Sequence, residues 1–318
     1  MAEARDSLVR SARDAAAPAI GQPFGARTST ASRRLADYVE LAKPRVVLMV
    51  LVTTLAGYYL GAGGALSAGL VLHALAGTAL AAAGTMALNQ YMERESDGRM
   101  ARTRTRPLPD GRLGAGEALA FGLALLAAGL VHLAVATNLL AAGITAAIAA
   151  SYLLLYTPLK TVTPLCSVVG AVPGALPPVA GWAVARGSVD IEAIVLFGIM
   201  FLWQIPHTLA ISALYRDDYA RAGIRVLPAV DRNGPSTALY AVGYSLALLP
   251  VALMPTVFGF AGPAYFVVAF ALGLTFLWSA IGLARLGTLD AARRLMVTSL
   301  VYLPALLGML ALDRVPLR

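Results

Sequence analysis

The charged positions of this chain are separated by long apolar intervals. No Asp, Glu, Lys or Arg lies between Arg45 and Glu93, Glu117 and Lys160, Lys160 and Arg186, Glu192 and Arg216, Arg232 and Arg285, or Arg294 and Asp313. These gaps hold 47, 42, 25, 23, 52 and 18 residues in turn. A membrane-spanning helix needs about 20 apolar residues, so the three longest gaps hold two helices each and the others one. Turn signals stand where the long gaps must break: Gly61-Ala62-Gly63-Gly64, Thr137-Asn138, and the stretch from Met254-Pro255 to Gly262-Pro263. The pattern predicts nine helices, near 46–62, 69–92, 115–136, 139–156, 164–184, 192–214, 236–254, 263–284 and 291–311. Strands of a membrane barrel would alternate polar and apolar residues over about ten positions, which continuous runs of this length exclude.

Composition agrees with the pattern and removes other classes. Hydrophobic residues make up 58% of the 318 and charged residues 13%, against about 25% charged in a soluble domain; the mean hydropathy is +0.73. An ordinary cytosolic protein, a disordered chain and a nucleic-acid-binding domain are excluded, despite a net charge of +8. The single cysteine, Cys166, excludes a disulfide framework and a cysteine-based metal centre.

The basic residues give an orientation. Of the 25 Lys and Arg, 22 fall in the N-terminal segment and in the connections after the second, fourth, sixth and eighth helices. The positive-inside rule then places the N-terminus in the cytoplasm and the C-terminus outside, as an odd number of crossings requires. Residues 1–43 lack an apolar signal core and carry five acids, so they read as a disordered cytoplasmic tail rather than a mitochondrial presequence. The expected organisation is that tail, an all-α membrane domain over 44–312 around a central apolar cavity, and a short external tail over 313–318. The inner (plasma) membrane of a cell is favoured over a mitochondrial inner membrane.

Polar chemistry is concentrated on the basic face. At the end of the second helix, Asn89, Glu93 and Asp97 are spaced i, i+4, i+8, which puts their oxygens along one helical stripe. Arg94, Arg102, Thr103 and Arg106 follow, and the two later arginines continue the stripe if the helix runs past Gly98. Carboxylates and an amide in a row suit a hard cation such as Mg²⁺, which commonly shares its oxygen ligands with substrate phosphates. Neighbouring arginines suit a diphosphate, whose oxygens the guanidinium binds in pairs. A loop that only enforces topology would need the arginines but not three interleaved acids.

A second cluster follows the sixth helix: Arg216, Asp217, Asp218, Tyr219 and Arg221. Adjacent acids cannot share a helical face, so one of the pair is expected to bind metal while the other is solvated or paired. Just inside the membrane boundary stands His207, after Pro206; an intramembrane histidine is by default a functional candidate. His73 and His132 are expected to serve packing or interhelical hydrogen bonding. The third constellation joins helices four and five: Tyr152, Tyr156 and Lys160, the only charge in its stretch. Pro173, Pro177 and Pro178 should break or kink the fifth helix, as membrane proteins allow where the freed backbone borders a cavity.

These residues resemble the heme O synthases, a branch of the UbiA-type intramembrane prenyltransferases. The motif N-x-x-x-D-x-x-x-D-x-x-M-x-R-T stands here as Asn89, Glu93, Asp97, Met100, Arg102 and Thr103, followed by Arg106-Pro107. The runs Tyr156-Thr-Pro-Leu-Lys160, Gly170 to Pro178, and Trp203-Gln-Ile-Pro-His207 with Asp218-Tyr219 resemble the heme branch in particular. Two departures are visible: Glu93 and Glu95 stand where the family most often has Asp, and Asp217-Asp218 replaces a spaced aspartate pair.

The resemblance covers about residues 36–312 and implies farnesyl transfer from farnesyl diphosphate to a vinyl carbon of heme B. It implies Mg²⁺ on Asn89, Glu93, Asp97 and Asp218, with Arg102, Arg106 and Lys160 on the diphosphate and His207 orienting heme or acting as a base. Arg94, Thr103, Tyr152, Tyr156, Arg216, Asp217, Tyr219 and Arg221 are the further substrate-binding candidates. The implied partners are the two substrates, the lipid bilayer and oxidase-assembly proteins, with no nucleic acid. A prenyltransferase for quinone or chlorophyll precursors is the nearer alternative. A secondary transporter is the more distant one, and it would place its binding groups near the bilayer midplane rather than at helix ends.

Overall fold

The computed structural model describes residues 30–63, 66–231 and 234–315. The chain divides into two units, 1–35 and 36–318, and the second contains the membrane helices and the site described below. Among the described residues, nine helices are long and apolar enough to cross a membrane. They are α1 (Pro44–Gly61), α2 (Ala68–Gly98), α3 (Ala115–Ala136), α4 (Leu139–Leu159), α5 (Cys166–Arg186), α6 (Ile191–Leu214), α7 (Pro235–Val257), α8 (Pro263–Leu286) and α9 (Leu289–Leu312). Helix also forms over Thr30–Leu41, within the segment expected to be a tail; residues 1–29 and 316–318 lie outside the described residues.

Local chemistry sets the helix ends. Pro44 opens α1, Ser67 caps α2 through Leu70 N, Asn138 caps α4 through Ala141 N at 2.8 Å, and Thr288 caps α9. Asn138 also donates to Ala183 O at 2.8 Å, tying the start of α4 to the end of α5. The proline-rich α5 is broken at Leu176, between Pro173 and Pro177. Over Ser151–Tyr156, α4 widens into a π-helical turn, a local change of period that re-aims the side chains beyond it.

Packing joins chain neighbours and distant helices alike. Helix α2 lies along α3, α1 along the second half of α5, and α6 contacts α7, α9 and the first half of α5; α8 joins α7 to α9. Contact between α1 and α9 is slight. Glycine permits the closest approach. A Cβ on Gly84 would stand 2.4 Å from the backbone nitrogen of Leu126, so α2 and α3 meet backbone to backbone there. Gly84→Ile is therefore expected to cost about 3 kcal/mol, read as a lowered midpoint in thermal unfolding of the detergent-solubilised protein. His73 and His132 meet across the same helix pair at 3.3 Å, as interhelical bonding requires.

Candidate active site

The stripe on α2 forms, and the helix carries it to its own end. Asn89 and Asp97 are almost completely buried, at 0% and 1% exposure, while the Glu93 side chain is slightly open. The helix stops at Gly98, so Arg102 and Arg106 do not extend the stripe as a continued helix would. A chain of tight turns over 99–113 brings Arg106 back instead. Its Nη1 reaches Asp97 Oδ2 at 2.7 Å, and Thr103 Oγ1 donates to the Asp97 carbonyl at 2.8 Å. The turn path allows this pairing because Arg106 approaches Asp97 from outside the helix.

All three polar constellations converge. Lys160 Nζ bonds Glu93 Oε1 at 2.5 Å, and Asn89 Nδ2 donates to Thr157 Oγ1 at 3.1 Å, joining the α4 end to α2. Asp218 accepts from Ala101 N at 3.2 Å and pairs with Arg221, with Arg102 Nε 4.0 Å away. The Arg102 guanidinium also lies over the Tyr219 ring, 5.0 Å from its centre. Backbone closes the third side, Arg225 N donating to Lys160 O at 2.6 Å.

Of the adjacent acids, Asp218 is buried while Asp217 is exposed beside Arg216, as adjacent positions on one helix require. The structure does not bring Arg94, Arg216 and Asp217 into the cluster: their side chains pair locally, outside it. Arg94 is one residue along from Glu93, hence about 100° around the helix. It lies over Tyr91 and pairs with Glu95.

The sequence reading missed Lys43. It precedes α1 in a left-handed conformation (φ 50°), rare for a residue with a side chain, and its Nζ donates to Asn89 Oδ1 at 2.8 Å. Burial, followed by repulsion from Arg106, pushes its ammonium down to about 7. The signal was present in composition: Lys43 and Lys160 are the two lysines of the chain, and both meet here. Burial opposes the charge on Lys160, but the oxygens of Tyr156, Tyr152 and Glu93 outweigh it and hold the group protonated. The Asp218 carboxyl is also desolvated, yet the N–H groups of Ala101 and Arg102 and the Arg221 guanidinium hold it below the usual carboxylate range.

An apolar cavity of about 1260 Å³ leads away from this ionic cluster. Tyr152 and Tyr156 join the two: both line the cavity, and Lys160 Nζ sits 4.2 Å from the Tyr156 ring centre and 5.9 Å from that of Tyr152. Gly170 makes room for this arrangement, since a Cβ there would fall 2.6 Å from the Tyr156 ring. Residues of α1 and α9, among them Val52 and Leu300, line the cavity and are exposed, so it opens sideways where those two helices barely touch. His207 lies in the cavity wall rather than in the ionic cluster. Its ring stacks on Trp203, and its Nδ1 is 2.6 Å from Ser299 Oγ.

A buried set of oxygen donors and cations beside an apolar cavity that opens sideways between membrane helices suits an intramembrane enzyme. Residues 50–303 match the model of the UbiA prenyltransferase family, and the chain belongs to that family; it is a prenyltransferase. Within the family it is similar to protoheme IX farnesyltransferases. It is 50% identical to that of Solibacter usitatus (strain Ellin6076) over 87% of this chain and 98% of the relative. It is 41% identical to that of Koribacter versatilis (strain Ellin345) over 93% and 98%. The fold is shared with a UbiA homolog from Archaeoglobus fulgidus bound to DMAPP and Mg²⁺, with a TM-score of 0.66 at 17% identity over 86% of this chain and 99% of that one. A structure of digeranylgeranylglyceryl phosphate synthase gives a TM-score of 0.76 at 18% identity over 88% and 98%.

Proposed function

We propose that this enzyme transfers the farnesyl group of farnesyl diphosphate to a vinyl carbon of heme B, making heme O for heme–copper oxidases. The observation that carries the reading is the continuity of the ionic cluster with the large apolar cavity through Tyr152, Tyr156 and Lys160. The names of the relatives supply the acceptor. The allylic carbon–oxygen bond breaks, diphosphate leaves, and the vinyl carbon bonds to the farnesyl carbon. Water then adds to the porphyrin-side cation and loses a proton, leaving a hydroxyethylfarnesyl group.

The donor set fits Mg²⁺. Asn89, Glu93, Asp97 and Asp218 offer hard oxygens, and each contacts a cation of the chain, so their electrostatic demand is for positive charge. Among the described residues no three His, Cys, Asp or Glu side chains could hold a metal by themselves, so Glu93, Asp97 and Asp218 are not one ready-made site; a Mg²⁺ here would take one or two of these carboxylates and share the substrate's phosphates. When bound, Mg²⁺ would offset the charge of the departing diphosphate.

The chain's own residues do the rest. Arg102, Arg106, Lys160 and Lys43 hold the diphosphate and stabilise the negative charge that grows as the bond ionises. Tyr152 and Tyr156 offer ring faces to the allylic cation at the point where the cavity begins, and the apolar walls keep water from it until the new bond forms. The orientation we assign puts the ionic cluster on the cytoplasmic face of the plasma membrane, with oxidase-assembly proteins receiving the product.

The test is incubation of purified enzyme with farnesyl diphosphate and Mg²⁺ against heme B and, separately, 4-hydroxybenzoate. Heme O is expected only with the first acceptor. Prenylated 4-hydroxybenzoate without heme O would replace this reading with the quinone-precursor one.

A further inference from the structure

The hydrogen bonds around Ser299 specify which nitrogen of His207 is free. A serine hydroxyl carries one proton and two acceptor lone pairs. Ser299 Oγ spends its proton on the backbone carbonyl of Met296, at 2.6 Å. Its 2.6 Å contact with His207 Nδ1 must therefore run the other way, with Nδ1–H donating and Oγ accepting. In a cavity wall with no Asp or Glu among its lining residues nothing offsets a charge on the ring, which is therefore neutral; His207 is then the Nδ1–H tautomer and Nε2 keeps a bare lone pair. Nε2 has no hydrogen-bond partner among the described residues, and the ring lines the cavity.

The ring is held as well as tautomerised. Trp203 stacks on it, with ring centres 4.9 Å apart and planes 14° from parallel. The same Trp203 donates through Nε1 to the Ser299 carbonyl at 2.9 Å. Ser299 is fully buried on α9, so α6 and α9 are cross-linked at this point by two side chains that meet on one residue. An imidazole whose Nδ1–H is bonded to an oxygen acceptor, with its plane fixed and Nε2 unprotonated, is the usual arrangement of a metal-ligating histidine.

We infer that His207 Nε2 binds the iron of the heme acceptor as an axial ligand, and that Ser299 is the positioning residue that sets its tautomer. This rests on heme being the acceptor. The coordinate bond anchors the macrocycle on α6, in the cavity that begins at Tyr152 and Tyr156. The proton inventory of Ser299 favours ligation at rest, because it fixes Nε2 as a Lewis base without any carboxylate to drive a proton relay through Nδ1. Haem proteins commonly hold iron through histidine in this way.

The probes are ferric heme B and metal-free protoporphyrin IX, titrated into the purified full-length enzyme in detergent and followed by absorption and electron paramagnetic resonance. The wild-type complex should show a nitrogen axial ligand. His207→Ala should lose that signature and bind heme B at least tenfold more weakly, while its affinity for protoporphyrin IX stays within twofold. Added imidazole should restore the heme spectrum. Ser299→Ala should keep the signature but bind heme several-fold more weakly, again without changing the metal-free porphyrin.

An unchanged heme spectrum in His207→Ala, or equal weakening of both porphyrins, overturns the inference. Heme O formation by the wild-type enzyme is measured on the same preparation. If it is absent, the acceptor assignment fails; if it is present while His207→Ala ligates heme normally, only the ligand assignment fails.

Discussion

Asp97→Ala is expected to abolish prenyl transfer, lowering kcat/KM at least about a thousandfold, while leaving the protein in the membrane. Asp97 is the last acid of the α2 stripe, 1% exposed and bonded to Arg106 at 2.7 Å. Its removal deletes a hard oxygen donor and also frees the arginine that would face the diphosphate. Asp97→Asn separates these effects, because it keeps the shape and a hydrogen-bond acceptor but not the charge. Equal inactivity in both variants, with normal yields of folded protein in detergent, would assign the loss to charge at the reacting centre. Full turnover in Asp97→Ala would remove this residue from the chemistry.

The second large effect concerns the pair formed by Lys160 and Glu93, whose side chains are only 13% and 14% exposed. Lys160→Met strands a buried carboxylate, and breaking a buried pair from one side costs about 3–5 kcal/mol. It also removes a cation from the diphosphate, so turnover should fall about a hundredfold or more. Lys160→Met combined with Glu93→Gln neutralises both partners. The double variant should recover most of the thermal stability lost in the single one, and none of the turnover. Recovery of turnover as well would mean that the pair serves only the fold.

The architecture was legible because burial in a bilayer is a one-dimensional constraint. Charge cannot be left in hydrocarbon, so the gaps between charges mark the crossings, and the helix bounds agree with them closely. The largest extension is at the end of α2, where the expected boundary at 92 gave way to Gly98. The added turns carry Glu93 and Asp97, polar residues that a hydropathy boundary excludes although the helix continues through them. The α5 break was equally legible, since proline removes a backbone donor wherever it stands.

The site was legible as a set of residue types and only partly as an arrangement. The i, i+4, i+8 spacing identified Asn89, Glu93 and Asp97 because helical geometry is periodic and local. Partner choice has no such period. Lys43 lies 46 positions from Asn89, Lys160 lies 67 from Glu93, and Ala101 lies 117 from Asp218. Arg94 shows the converse: adjacent to Glu93 in sequence, it points elsewhere on the helix, over the Tyr91 ring.

The sequence alone determined the nine helices, among the described residues, that are long and apolar enough to cross a membrane; it also determined that the polar chemistry lies at helix ends, and which residue types carry it. Those properties depend on hydropathy and on helical period, both of which are local. Only the tertiary structure decided that α1, α2, α4 and the segment after α6 meet at one cluster, that the cavity opens between α1 and α9, and that Ser299 holds His207. Such contacts come from packing between distant segments, where the fit of backbone on glycine and the sharing of single protons select one arrangement from many that the same pattern would allow.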